Sequence, residues 1–241
     1  MNPTQAGRGD IPAHALPATR AARIATAFAP AWPFGNRYDQ CYARLKLGTD
    51  PLYPGVLAAL RGSSAPLLDL GCGLGLLAHA LRDDGQALAY RGVDLDAAKI
   101  RRAARAAERA RLAQVAFARM DLATTLPAHR GSVAVLDVLQ YLSAERQHAL
   151  VAALAAMLTP GARLVIRTGL RETGARSGFT RLADRLAHGV GWMQVRPRHF
   201  PDRQELAGAL AHAGLRARFA PLRGRTPFNN WLVVAEAHGE R

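Results

Sequence analysis

Lysine is almost missing from this chain: Lys46 and Lys99 are the only two, although 32 Lys+Arg face 18 Asp+Glu for a formal charge of +14. Arginine in place of lysine, beside so much alanine, is the compositional mark of a GC-rich coding sequence, so the arginines alone select no partner. The charge itself is physical and attracts phosphate-bearing or acidic partners in a salt-dependent way. Cysteine is equally scarce. Cys41 and Cys72 cannot build a disulfide framework, and no spaced Cys/His cluster suggests zinc, so no metal centre is expected. A reducing, cytoplasmic setting is the simplest expectation. No apolar run approaches the ~18–20 uncharged residues that span a bilayer.

Residues 1–36 are rich in alanine and proline. Pro3, Pro12, Pro17, Pro30 and Pro33 interrupt them, and no compact apolar stretch marks a targeting peptide. They read as a disordered tail ahead of one domain, 37–241. Tyr38–Leu60 reads as one or two short helices broken near Gly48-Thr49-Asp50-Pro51, and Arg61–Pro66 as a linker.

From Leu67 onward short apolar runs alternate with helical patterns, the signature of βαβ units and a parallel sheet. Strands are expected at Leu67–Leu70, Ala89–Val93, Val115–Phe117, Val133–Leu136 and Arg163–Arg167. Helices are expected from Leu74 to Arg82, from an Asp96 cap to Arg111, and from a Ser143 cap to Leu158. The cofactor-binding core is then 67–167. An irregular cap segment, 168–201, carries an amphipathic helix at Phe179–His188. Asp202 to Glu205 has capping-box spacing, Gly214 ends that helix, and strands near Leu215–Ala220 and Trp231–Ala235 close the sheet.

The informative segment is Asp69-Leu70-Gly71-Cys72-Gly73-Leu74-Gly75, at a strand end and opening a helix. Glycines there let the backbone turn sharply and let a ligand lie against it, and the helix N-terminus adds unpaired N–H donors. A dinucleotide fingerprint would need glycine at Leu76, and a Walker loop would need Gly-Lys-Ser/Thr. Asp69 would also repel a pyrophosphate. A ligand with ammonium and sulfonium groups fits better. Asp94, at the end of the second strand, has the offset at which an acid accepts ribose hydroxyls, whereas Asp96 is the helix cap. Met120 and Asp121 follow the third strand, where a carboxylate can accept from an adenine amino group.

These residues, with Leu158-Thr159-Pro160-Gly161-Ala162-Arg163-Leu164 in register, resemble the class I S-adenosylmethionine-dependent methyltransferases. The resemblance covers roughly Leu67–Ile166. It implies a doubly wound, mostly parallel, seven-stranded Rossmann-like α/β sheet with an antiparallel last strand, and S-adenosyl-L-methionine as cofactor. It places Asp69, Gly71, Gly73 and Gly75 toward the methionine end, Asp94 on the ribose, and Met120 and Asp121 around the adenine.

Acceptor chemistry is expected beyond strand four, at Asp137-Val138-Leu139-Gln140-Tyr141. The absence of prolines there argues against exocyclic-amine methylation of the adenine type, and no nearby cysteine supports a covalent cytosine mechanism. Many small-molecule members of the family carry histidine near position 140, and Gln140 cannot act as a base. Asp137 and Tyr141 are the catalytic candidates. His199 and a lid of Tyr38, Tyr42, Arg44 and Lys46 are further candidates.

A narrower resemblance links Tyr42–Pro51, Arg163–Arg167 and Thr226–Asn230 to bacterial methyltransferases found with lipid, polyketide or aryl-polyene biosynthesis enzymes. It implies an aryl or acyl acceptor, tethered to an acidic carrier protein. An anionic membrane surface, at the periphery of the inner membrane, would use the same charge. Two other functions stay open: an RNA methyltransferase, from the charge and the Lys99–Arg111 helix, and a regulatory protein that binds the cofactor without turnover. That basic helix has no interleaved aromatics of the kind that stack on bases.

Overall fold

The computed structural model describes residues 14–32, 34–171, 199–222 and 229–237. The elements are α1 (Ala18–Ala25), α2 (Tyr38–Thr49), α3 (Leu52–Leu60), β1 (Leu67–Leu70), α4 (Leu76–Asp83), β2 (Tyr90–Asp94), α5 (Ala97–Arg109) and β3 (Val115–Arg119). They continue as β4 (Ser132–Leu136), α6 (Ala144–Ala155), β5 (Leu164–Gly169), α7 (Arg203–His212), β6 (Leu215–Pro221) and β7 (Asn230–Ala237). The strands form one sheet in the order β3-β2-β1-β4-β5-β7-β6. The five strands from β3 to β5 are parallel, and β7 runs antiparallel to both neighbours. This is the doubly wound sheet expected from the pattern.

Both faces are covered, which is why the strands read as continuous apolar runs. Leu67, Ala134, Val165 and Leu232 pack toward α1–α4, while Leu68, Val133, Ile166 and Val233 pack toward α6 and α7. Helix starts follow local chemistry. Asp96 accepts from the amides of Ala98 and Lys99, Ser143 from Arg146, and Asp202 from Gln204 and Glu205. Element ends differ from expectation by one to three residues, the scale on which helix ends fray.

The N-terminal expectation needs correction. Of the 1–36 segment expected to be disordered, 18–25 is helical and docked; residues 1–13 lie outside the described residues. Pro17 stands immediately before the first turn, where proline is tolerated. Ile24 and Phe28 are buried, each contributing about 1.5–3 kcal/mol. Arg20 and Arg23 pair with Asp83 on α4 at 2.6 Å each. Packing, not helix propensity, holds this segment. The cap between 172 and 198, with its expected helix at Phe179–His188, lies outside the described residues.

Candidate active site

The chain leaves β1 to build β2 and β3 on one side, then crosses back to β4 on the other. Loops after β1 and β4 therefore part, and a crevice opens at the carboxyl ends of these strands. Asp69, the three glycines, Asp94, Met120, Asp121, Asp137 and Tyr141 all sit on that edge, at or just past the ends of β1 to β4.

Gly71, Gly73 and Gly75 have φ of 79°, 56° and 71°, a region glycine enters at little cost. A Cβ on Gly71 would stand 2.6 Å from Val138 Cγ2, and one on Gly75 2.5 Å from Phe117 Cζ. At Gly73 it would meet no atom within 4 Å among the described residues. The outer glycines thus serve packing, and the middle one presents bare backbone to open space. The amides of Gly71 and Cys72 donate to Val93 O at 2.8 and 3.0 Å. Gly73 N donates to Asp94 Oδ2 and Asp96 N to Asp94 Oδ1, both at 2.9 Å. Met120 N donates to Asp94 O at 3.0 Å, so the glycine loop, Asp94 and Met120 form one hydrogen-bonded unit. Asp121 is exposed, and its Oδ1 accepts from Ala123 N at 2.9 Å, in a turn of its own.

Asp69 is buried on β1. Its Oδ2 accepts from the Tyr90 hydroxyl at 2.6 Å, and its Oδ1 has no partner among the described residues. Burial pushes its carboxyl up to about 7; the Tyr90 hydrogen bond opposes this and the Asp94 charge adds to it. The same burial, with both carboxylates near, pushes the Cys72 thiol far up, so it is no thiolate nucleophile. A cation is what this corner lacks.

On the acceptor side, Asp137 has φ 62°, and its amide donates to Arg167 O at 3.0 Å. Arg167 Nη1 reaches Asp137 Oδ2 at 2.5 Å and Asp50 Oδ2 at 3.1 Å, and Lys46 Nζ reaches Asp50 Oδ2 at 2.7 Å. The Asp137 side chain is 37% exposed, against 7% for Arg167 and Asp50, so it is the open end of a buried ion chain. Burial works against the Arg167 charge, but Asp137 and Asp50 outweigh it and hold its pKa above the ordinary value. Burial likewise would raise Asp50, and the charges of Arg167 and Lys46 bring it below the usual carboxylate range. Burial raises the hydroxyl pKa values of Tyr42 and Tyr53. Tyr42 also feels Lys46 and Asp137, and Tyr53 feels Asp50, Arg167 and Asp69, so α2 and α3 bring both rings near this ion chain. Sequence reasoning named Asp137, Tyr42 and Lys46 but missed Asp50, Tyr53, Tyr90 and Arg167.

Tyr141 ends a short 3-10 turn, Leu139–Tyr141, and is half-buried. Gln140 is buried, and its carbonyl accepts from His199 N at 3.1 Å, which brings His199 to this turn. Other histidines serve structure or solvent: His79 is buried against Phe28 and burial lowers its pKa to about 4, and His148 and His212 are exposed. Part of the basic helix is also structural, since Arg102 pairs with Asp39 at 2.7 Å. No group of three or more metal-binding side chains occurs among the described residues, and no described helix is long and apolar enough to cross a membrane.

Residues 67–161 match the model of a methyltransferase domain. The chain carries a methyltransferase domain. The chain shares its fold with magnesium protoporphyrin IX methyltransferase from Synechocystis PCC 6803, solved with bound SAH, at 19% identity and a TM-score of 0.61 over 91% of this chain and 94% of that one. An O-methyltransferase family protein from Burkholderia thailandensis is similar at 22% identity and TM-score 0.58, over 92% of this chain and 68% of that one. An O-methyltransferase family 2 protein from Planctomyces limnophilus, in complex with apigenin, is similar at 20% identity and TM-score 0.54, over 74% and 51%. No curated protein sequence matches the chain.

Proposed function

We propose that this methyltransferase acts on a small-molecule acceptor of aryl or acyl type, which enters between the α2–α3 pair and the turn after β4. The observation that carries the cofactor side is the unpartnered, buried Asp69 Oδ1 beside the open backbone of Gly73. Asp69 would take the ammonium and sulfonium end of the cofactor, and Gly71, Gly73 and Gly75 would let it lie on the loop. Asp94, whose oxygens each retain a lone pair, would accept the ribose hydroxyls. Met120 would pack on the adenine, and the second oxygen of Asp121 would take its amino proton. S-adenosylmethionine supplies an electrophilic methyl group on sulfur when bound.

The chain's own residues then have to hold the acceptor in line and receive its proton. Asp137, clamped by Arg167 and open on its outer side, would accept a hydrogen bond from an acceptor hydroxyl, with Tyr141, four residues further along the chain, as the alternative donor or base. The half-buried Tyr42 would give the acceptor chamber an aromatic wall suited to an aryl group. The net charge favours delivery on an acidic carrier protein, as the resemblance to enzymes of lipid, polyketide and aryl-polyene biosynthesis implies.

The test is mass-spectrometric screening of free aryl acceptors, acyl-carrier-bound acceptors and bulk RNA with the purified enzyme. Methylation of an aryl or acyl acceptor, lost in Asp137→Asn, is expected. Methyl groups found on RNA alone would refute the acceptor assignment.

A further inference from the structure

Among the described residues five large apolar side chains are exposed, and four of them lie between positions 32 and 45: Trp32 at 78%, Phe34 at 100%, Tyr38 at 48% and Leu45 at 53%. Singly exposed apolar residues need no explanation, but a clustered set marks an interaction site. The cluster is built, not frayed. Gly35 N donates to Trp32 O at 3.0 Å, closing a turn that packs back on Pro30. On α2, Ala43 and Leu47 are fully buried, so Tyr38, Cys41 and Leu45 fall on the opposite, outward face by helical spacing.

Cations frame this surface. Arg109 donates to the carbonyls of Ala27 and Ala29, and Arg102 pairs with Asp39, which ties the aromatic segment to the basic face of α5. Exposed Arg105 lies between those two arginines on the same helical stripe, and exposed Arg44 lies on α2 itself. Protruding Trp, Phe and Tyr beside arginine is the chemistry of the lipid interface, where rings sit among headgroups and cations meet anionic lipid. A second copy of the chain is disfavoured by repulsion between two bodies of charge +14.

We propose that the surface formed by Trp32, Phe34, Tyr38 and Leu45 docks this protein on anionic membranes. The last turn of α2 carries Lys46 and leads to Asp50 at the site, so docking would turn the acceptor entrance toward the headgroups. An acceptor dissolved in the bilayer would then reach the chamber; this clause rests on the acceptor assignment above.

The experiment is co-sedimentation of the full chain with phosphatidylcholine–phosphatidylglycerol vesicles and with phosphatidylcholine alone, at low and moderate salt. Wild type is expected to bind the anionic vesicles, with a blue shift of tryptophan emission. Trp32→Ala with Phe34→Ala should weaken binding by at least about tenfold. Arg105→Glu should also weaken it and blunt the salt dependence. Both variants should keep the wild-type melting temperature and S-adenosylhomocysteine affinity. No binding to anionic vesicles would overturn the proposal, as would binding indifferent to the aromatic pair. So would self-association of wild type that the aromatic substitutions abolish. Vesicle binding does not depend on turnover, so its failure and a failed acceptor screen are separate results.

Discussion

The hydroxyl of Tyr90 lies 2.6 Å from Asp69 Oδ2, across neighbouring parallel strands, while Asp69 Oδ1 has no partner among the described residues. Tyr90 is itself fixed, its ring meeting Phe117 edge-on at 5.7 Å between centroids. One half of the carboxyl group is therefore held rigidly and the other half is left for something else. Keeping a buried acceptor unsatisfied costs about 1–3 kcal/mol, which a cationic ligand would recover.

This sets a pH dependence. Burial raises the folded-state pKa of Asp69 to about 7, from an ordinary value of 3.8. Between those values the ligand-free fold binds more protons than the unfolded chain, so this group's contribution to stability falls as pH rises through that window. A cation binds the ionised form. S-adenosylhomocysteine affinity should therefore rise by up to about tenfold per pH unit toward pH 7 and flatten above it, with about one proton released below. Titration calorimetry in buffers of different ionisation enthalpy measures both, and Asp69→Asn should remove both.

The glycines should separate packing from binding. Gly73→Ala meets no neighbour, so its stability cost is the left-handed backbone alone, about 1–2 kcal/mol. Its cofactor affinity should fall at least tenfold, more than its stability explains. Gly71→Ala drives a methyl group to 2.6 Å from Val138 and should lose stability first. Melting curves beside binding isotherms of the two variants check this order.

The ion chain behind Asp137 makes a stability prediction. Arg167→Met leaves Asp50 buried with Lys46 as its remaining cation and should cost about 3–5 kcal/mol in chemical denaturation. Because the folded-state pKa of Asp50 is lowered, its stabilisation is present above the ordinary carboxylate range and is lost as pH falls through the folded value. Asp137→Asn, at the open end, should cost less than Arg167→Met, because Asp50 still faces Arg167.

The sheet was legible in the sequence because its signals are local. Leu67–Leu70 and Val133–Leu136 are short apolar runs, and the glycine spacing after Asp69 needs only a strand before it and a helix behind. Asp94 and Asp96 could be told apart because a helix cap has its own position. The first helix was not legible, because alanine and proline give little contrast and its support, Arg20 and Arg23 on Asp83, is distant in sequence. Arg167 was hidden for the same reason: inside β5 it reads as one more strand residue, until the end of α2 brings Asp50 beside it. Tyr90 likewise looked like an ordinary strand aromatic before its hydroxyl met Asp69.

Calorimetric titration of S-adenosylhomocysteine into wild type and Asp94→Ala tests the central claim most directly, that the loop after β1 and the acid after β2 together hold the cofactor. Tight one-to-one binding by wild type is expected, with a loss of about 10–100-fold in the variant and its fold intact. Equal affinity in the two folded proteins, or no binding by wild type, would contradict it.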